Sequence, residues 1–184
     1  MSAATRRLAI VGLTLAMSVG PTTIAASTAQ AHGHHVSIDR TAVFEVGDES
    51  AVTGRSTLLR TRRGALGFVR TGGLQAGDAY TVWAVVFNNP AGCIDGCDGA
   101  DLANPAAEAV SMLGAGKVAQ RSAASFLIRI GAGDELTDPH GAEIHFVLRT
   151  HGPALPGLVD EQISSLNGGC PPNECANVLM AKHD

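Results

Sequence analysis

The segment HGHH at residues 32–35 offers the clearest metal chemistry in the chain. If His32 were the first residue of the mature protein, its amine, two deprotonated backbone amides and the imidazole of His34 would form a square-planar set of nitrogens. Copper(II) and nickel(II) prefer that geometry. We therefore predict a candidate copper site at His32 and His34. In a second arrangement, His32 would hold copper together with His145 or His151. The favoured interpretation is nevertheless a polar tail whose histidines contact only water, so we expect no cofactor, with copper as the alternative.

The four cysteines occur as two close pairs, Cys93 with Cys97 and Cys170 with Cys175. In an exported chain such pairs indicate disulfides before metal, and the spacings do not match the two-residue spacing of a zinc knuckle. Glycine and proline inside the two spacers favour tight local loops. We expect each close pair to form its own disulfide, although the sequence is also compatible with the two other pairings.

The segment 142–150 alternates apolar and polar side chains, which predicts a strand with one polar face. That face carries Glu143, His145, Arg149 and His151. We predict that His145 lies at the surface in this charge cluster, although His145 and Glu143 would also suit an acid/base pair. In a straight strand His145 and His151 are about 20 Å apart, too far to hold one metal.

Sequence motifs for catalysis are absent. The chain has no Gly-x-Ser-x-Gly elbow, no His-Glu-x-x-His and no phosphate loop. A hydrolase would need a pocket that brings Glu143, His145 and a nucleophile together, and nothing in the sequence predicts one. We therefore assign no catalytic residues and favour a non-enzymatic role.

Two local concentrations of like charge have both a functional and a structural interpretation. They are the acidic loop Asp95, Asp98 and Asp101, and the basic group Arg60, Arg62, Arg63 and Arg70. Carboxylates suit calcium, but the acidic spacing matches no known calcium loop and favours a solvated turn. The basic group favours a solvated strand face over an anion site, because no aromatic or glycine-rich cradle accompanies it.

The N-terminal residues predict export. Arg6 and Arg7 precede an apolar run, and Ala29-Gln30-Ala31 is a small-x-small cleavage site. We therefore predict a signal peptide at 1–31, a flexible histidine-containing segment at 32–40 and one domain at 41–184. The apolar run is shorter than the ~20 residues of a membrane span, so we expect no membrane insertion after cleavage. The product would be secreted or held in the periplasm or cell envelope.

Strand-length apolar segments between glycine- and proline-rich turns predict an all-β domain. The segment 79–88 is apolar on both faces, as expected of a strand in the middle of a core. The predicted strands are 41–46, 56–61, 65–71, 79–88, 116–121, 124–130, 142–150 and 177–183. Segment 105–113 is compatible with a helical turn or a strand, and 160–166 with a short helix. The fold class that follows is a single antiparallel β-sandwich with two small disulfide-closed loops.

Net charge narrows the range of partners. Loss of the two arginines of the signal peptide would lower the formal charge from −4 to −6. This acidic balance argues against nucleic acid or anionic lipid as a main partner. The expected partner is an extracellular or cell-surface molecule that the sequence does not identify.

Two long motifs and a final strand carry a family resemblance. The motifs are GLQAGDAYTVWAVVFNNPAGC (73–93) and AEIHFVLRTHGPALPGLVDEQISSLNGGC (142–170), followed by a strand near Met180–His183. Together they resemble a family of exported bacterial proteins of unassigned function, which is distantly similar to the CHRD domain. The resemblance implies an immunoglobulin-like or CHRD-like β-sandwich with a binding or structural role, and it supplies no catalytic residues. The alternative function is that of a copper(II)-binding or copper-dependent protein using His32 and His34.

Overall fold

The computed structural model describes residues 36–133 and 135–184. The predicted signal peptide, His32 and His34 therefore lie outside the described residues. Within these residues the chain forms strands β1 (Ser37–Glu45), β2 (Asp48–Thr61), β3 (Gly64–Thr71), β4 (Asp78–Phe87), β5 (Ala109–Val118), β6 (Ala124–Gly131), β7 (Glu143–Pro153) and β8 (Ala176–His183). A single turn of helix, α1 (Val159–Gln162), precedes β8. Three 3-10 helices, Pro90–Gly92, Ala100–Ala103 and Pro105–Ala107, follow β4.

The strands pair antiparallel in the order β5-β4-β7-β8-β1-β2-β3-β6. Strands β8 and β1 meet at just two residue pairs, Phe44 with Met180 and Glu45 with Leu179. The sheet folds over at this narrow connection so that β3 faces β7, and a Cβ added to Gly67 would lie 2.2 Å from the ring of Phe146. Two layers result: layer I (β5-β4-β7-β8) and layer II (β1-β2-β3-β6). The prediction of an antiparallel all-β sandwich is confirmed.

The central strand β4 is apolar on both faces, as predicted. Val82, Ala84 and Val86 are fully buried between the layers, in the main core. On the opposite face, Val85 and Phe87 belong to a second, smaller core outside layer I. Alternating side chains of one strand therefore support two separate apolar clusters.

Strands β5 and β6, at the two ends of the strand order, approach each other where the sandwich closes. A Cβ on Gly114 of β5 would lie 2.6 Å from the side chain of Ile128 of β6, so glycine permits this close contact. The ammonium group of Lys117 donates a hydrogen bond to the backbone carbonyl of Ser125. The same ammonium lies 4.9 Å from the centre of the Phe126 ring.

The long connections of the fold both cover the outside of layer I. Residues 88–108 join β4 to β5 and contain the disulfide Cys93–Cys97. Residues 154–175 join β7 to β8 and contain the disulfide Cys170–Cys175. Both local disulfide pairings are therefore confirmed. No helix among the described residues is long and apolar enough to cross a membrane.

Each of the eight predicted strands overlaps an observed one, with two large shifts. Strand β2 begins at Asp48, eight residues before its predicted start. Strand β5 begins at Ala109, seven residues before its predicted start. The ambiguous segment 105–113 contains both of its predicted alternatives, because the helical turn Pro105–Ala107 leads directly into β5. Glu108 makes that change of direction with a left-handed backbone, at φ 50°.

The predicted solvated basic face is wrong for Arg60. Its side chain points inward at the end of the sandwich and is only 3% exposed. The guanidinium donates hydrogen bonds to the carbonyls of Pro139, Ala142, His183 and Asp184 at 3.0, 2.6, 3.2 and 3.1 Å. Burial lowers the pKa of Arg60, and these acceptors together with the nearby carboxylates, Asp39 first, oppose that effect.

Candidate functional site

A pocket of about 380 Å³ lies on the outside of layer I, between the two disulfide loops. Its floor is Trp83 and Val85 of β4 and Val147 of β7. Leu102 of the first loop and Leu166 of the second form its walls. The volume lies within the range of roughly 300–1,000 Å³ that is usual for small-molecule sites.

The second core holds the first loop against the sheet. Phe87, which is 1% exposed, packs with Cys97 and Ala107 of that loop, and Cys93 adds to the contact. The disulfide therefore contributes apolar surface as well as a covalent link. This packing fixes the position of the wall that carries Leu102.

Asp101 organises the same loop from within. Its carboxylate accepts hydrogen bonds from the Asn104 amide and from the backbone N–H groups of Ile94 and Asp98. The bond from Asn104, followed by those from the backbone, holds the pKa of Asp101 below its usual value. Asp101 is 2% exposed, so the expectation of a solvated turn is wrong for this residue. Because N–H groups of the protein donate to both of its carboxylate oxygens, Asp101 has a structural role in this turn.

His145 lies beside the pocket and is 2% exposed, so the prediction of a surface histidine is wrong. The disulfide loop covers the polar face of β7, and sequence alternation alone does not reveal such a cover. The His145 Nε2 atom lies 2.6 Å from Glu143 Oε1. The ring also makes an edge contact with Phe87, at 5.1 Å between centroids. Burial lowers the pKa of His145, and the Glu143 carboxylate partly opposes this effect.

Arg149 forms part of the pocket rim and ties the second loop to the sheet. Its guanidinium donates to the carbonyl of Leu166 at 2.8 Å and to the side-chain oxygens of Asn177 and Asn167 at 3.0 and 3.3 Å. Three acceptors on two different segments hold this planar group in one orientation. The guanidinium is therefore engaged by protein groups.

A chain of hydrogen bonds leads from the pocket floor to His151. Trp83 Nε1 donates to the Thr81 hydroxyl at 3.0 Å, and that hydroxyl lies 2.9 Å from His151 Nε2. On the other side of the ring, Nδ1 lies 3.0 Å from the carbonyl of Gly168. A carbonyl can only accept, so we place the proton on Nδ1 and let Thr81 donate to Nε2. The imidazole is neutral, and burial lowers its pKa.

The structure does not bring His145 and His151, which the sequence suggested as metal ligands, into one metal-binding group. His151 lies with Cys170 and Cys175, and their donor atoms fall within 4.8 Å of one another. Both sulfurs belong to the disulfide and are not thiolate ligands. Among the described residues, no group with the spacing of a metal site unites His145 with His151. The sites proposed at His32 and His34 lie outside the described residues.

A Ser-His-Asp arrangement with a buried serine and a buried histidine was not predicted from the sequence. Ser56 Oγ lies 2.7 Å from His183 Nε2, and His183 Nδ1 lies 2.5 Å from Asp39 Oδ2. The three residues come from β2, β8 and β1, and no local motif links them. Ser56 is 1% exposed and His183 is fully buried, so a substrate carbonyl cannot reach the hydroxyl in this structure. The arrangement joins three strands by paired polar groups, as buried polar groups require.

Comparison with known proteins found no matching family model, no matching curated protein and no matching solved structure.

Proposed function

We propose that this protein is an exported, non-enzymatic binding module whose pocket on layer I takes a small, predominantly apolar molecule. One observation carries the proposal: two disulfide-braced loops enclose an apolar cavity of about 380 Å³ on a rigid strand floor. Pockets of this kind, with a few polar groups at the rim, are the usual form of small-molecule sites.

The polar groups around the pocket support an apolar ligand. Arg149 is occupied by three protein acceptors, and Trp83 Nε1 is occupied by Thr81. Among the described residues, every buried side-chain nitrogen or oxygen has a hydrogen-bond partner. A strongly polar ligand would lose its own hydration and find few partners, chiefly the exposed Ser111 hydroxyl and the Asp98 carboxylate. A hydrocarbon chain or ring system loses no such interactions.

The geometry around His145 supports a binding role over hydrolysis. Ser111 is the hydroxyl residue that lines the pocket with His145. Ser111 pairs with Val85, which in turn pairs with His145, so two strand spacings separate the serine from the histidine. This is about 10 Å, well beyond hydrogen-bond reach. The pocket therefore places no serine nucleophile within hydrogen-bond reach of Glu143 and His145.

Trp83 provides the test, because it is the one tryptophan of the chain and lies on the pocket floor. The mature protein is titrated with the neutral probe N-phenyl-1-naphthylamine and with medium-chain alcohols, and Trp83 emission and probe fluorescence are recorded. We expect saturable binding with a shift of Trp83 emission. The variant Ser111→Phe fills the pocket and should weaken binding at least tenfold.

Thr57→Phe is the matched control, since it adds the same side chain on the outside of layer II. It should bind the probe as the parent protein does. Equal binding by Ser111→Phe and the parent protein would overturn the proposal, as would a Trp83 emission that no apolar probe changes.

The copper function is a second proposal, and it rests on the HGHH segment at 32–35. Its test is the N-terminal sequence of the exported protein, followed by titration with copper(II) of that material and of His34→Ala. A start at His32 with one-to-one binding that the variant loses would support copper binding. A different start, or binding that does not depend on His34, would overturn it.

A further inference from the structure

The outside of layer II carries an arrangement of side chains quite different from the pocket. Arg40, Arg55, Arg70 and Arg129 all point outward from β1, β2, β3 and β6 and are exposed. Phe68 and Leu127 lie between them as direct partners on neighbouring strands. We call these six residues the arginine face.

The arginines of this face have no partner within the part of the chain that the structure describes. None of the four donates a side-chain hydrogen bond or forms an ion pair there, whereas Arg60 and Arg149 are fully engaged. Arg55 also lies directly opposite Arg70 in the β2–β3 register. Like charges at directly opposed positions destabilise a sheet. The Arg55–Arg70 pair therefore does not stabilise the fold.

Acidic side chains are segregated from this face. Residues Ile38–Ala42 of β1 pair with β2, β2 pairs with β3, and β3 pairs with β6. Along these paired rows, no residue that points outward is aspartate or glutamate. Asp39 is on β1 but turns inward to His183. The chain as a whole has a formal charge of −4. The negative net charge of the chain is therefore compatible with a positive electrostatic potential over the arginine face.

Exposed apolar groups accompany the arginines. Phe68 and Leu127 are 46% and 47% exposed, and neighbouring Ile38 is 56% exposed. Arg40, Arg55, Arg70 and Phe68 also border a shallow depression of about 550 Å³. The fold therefore places the aromatic ring of Phe68 beside the basic residues, which the sequence analysis did not predict.

We propose that the arginine face docks the protein on an anionic phospholipid surface. A planar guanidinium group can donate two N–H hydrogen bonds to the oxygens of one phosphate, and the four arginines have no partner among the described residues. Phe68 and Leu127 would enter the boundary between headgroups and acyl chains. The exposed apolar groups favour a lipid over a soluble polyanion, because a purely ionic partner offers them no escape from water. Docking is peripheral and independent of the pocket.

The test is sedimentation of the mature protein with vesicles of phosphatidylglycerol and phosphatidylcholine in equal parts, and with vesicles of phosphatidylcholine alone. We expect binding to the anionic vesicles, weakening with added salt. One arginine near an anionic surface is worth roughly fivefold in affinity, so the double variant Arg55→Gln, Arg70→Gln should bind about 30-fold more weakly. Arg63→Gln, at the β2–β3 turn, removes one charge outside the face and should bind as the parent does.

Phe68→Ser separates the lipid from other anions. A lipid surface predicts weaker vesicle binding for this variant with every arginine still present. Soluble inorganic polyphosphate that binds as tightly as vesicles, with no effect of Phe68→Ser, would overturn the lipid proposal in favour of a polyanion. Absence of binding to anionic vesicles would overturn it outright. A urea midpoint close to that of the parent protein shows that each variant is folded.

Discussion

The two outer faces of the sandwich differ in how their polar groups are satisfied. On layer I, loops cover the strands, and Arg149 and His145 have protein partners. On layer II, no loop among residues 36–133 and 135–184 covers the strands, and Arg55 and Arg70 face each other without an acceptor in that part of the chain. The same kind of sheet therefore presents a closed apolar pocket on one side and an open cationic surface on the other.

Connection length explains this difference. The strands of layer II are joined by short turns, such as the two residues 62–63 between β2 and β3. The connections 88–108 and 154–175 are long enough to fold back over layer I, and each contains a disulfide. Loops that fold over a sheet must satisfy their own polar groups, and Asp101 and Arg149 do so here. A face without loops keeps its polar groups for solvent or for a partner.

The largest expected effect comes from comparing one phenylalanine on each face. Phe87 on layer I is 1% exposed, whereas Phe68 on layer II is 46% exposed. Phe87→Ala should lower the free energy of unfolding by roughly 3–5 kcal/mol, because it leaves a cavity beneath the first loop. Phe68→Ala should lower it by less than about 1 kcal/mol. Urea denaturation of both variants measures the difference, and equal losses would contradict the description of the two faces.

Removal of one disulfide should separate the two proposed binding activities. In the double variant Cys93→Ser, Cys97→Ser, the loss of a short closed loop should cost about 2 kcal/mol of unfolding free energy. Leu102 loses its fixed position, so binding of the apolar probe should weaken. Sedimentation with anionic vesicles should remain as in the parent protein. A parallel loss of both activities would show that the faces are not independent.

Acid should destabilise the protein through its buried histidines. Burial lowers the pKa of His145, His151 and His183 below the usual value of 6.5. The unfolded chain therefore binds protons first as the pH falls, so stability is complete above pH 6.5 and declines below it. Urea midpoints between pH 7.5 and pH 5 should decrease.

The variant His151→Gln tests whether the loop-covered face contributes to this acid sensitivity. It should flatten the dependence of the urea midpoint on pH, although the variant is less stable at neutral pH. His140→Gln replaces an exposed histidine and serves as the matched control, with the slope of the parent protein. Identical slopes for all three proteins would exclude His151 as a source of the acid sensitivity.

The smallest expected effect is on the stability of layer II. Arg55→Thr removes one member of the cross-strand pair with Arg70 and introduces a residue that is favoured in strands. We expect the unfolding free energy to stay within about 0.5 kcal/mol of the parent value, with a gain of a few tenths. Thermal unfolding at low salt measures it. A loss above 1 kcal/mol would reveal a structural role for Arg55.

The sequence predicted those features that depend on local pattern. Alternation and turn residues located all eight strands, and short cysteine spacers predicted both disulfides. The start of β5 was wrong because Pro105–Ala107 and the first residues of the strand share an alanine-rich composition. Local composition does not distinguish a helical turn from the strand that follows it.

Features that depend on distant segments were not predictable in this way. The polar face of β7 correctly contains His145, but its burial results from a loop that precedes it by some forty residues in the chain. Ser56, His183 and Asp39 meet only because β1, β2 and β8 come together. Arg60 and Arg70 are close in sequence, yet one points into the protein and the other out. Each case depends on register and layer packing, which one sequence does not reveal.

The position of Lys117 has a consequence for behaviour at high concentration. Unpaired backbone groups along β5 and β6, the outermost strands, are potential templates for a strand from another molecule. The ammonium group of Lys117 caps the Ser125 carbonyl and puts a charge that is costly to bury at this seam. A strand added there would have to displace the cation and desolvate it. This one side chain thus acts against fibre growth and domain exchange at the two strands that end the sheet.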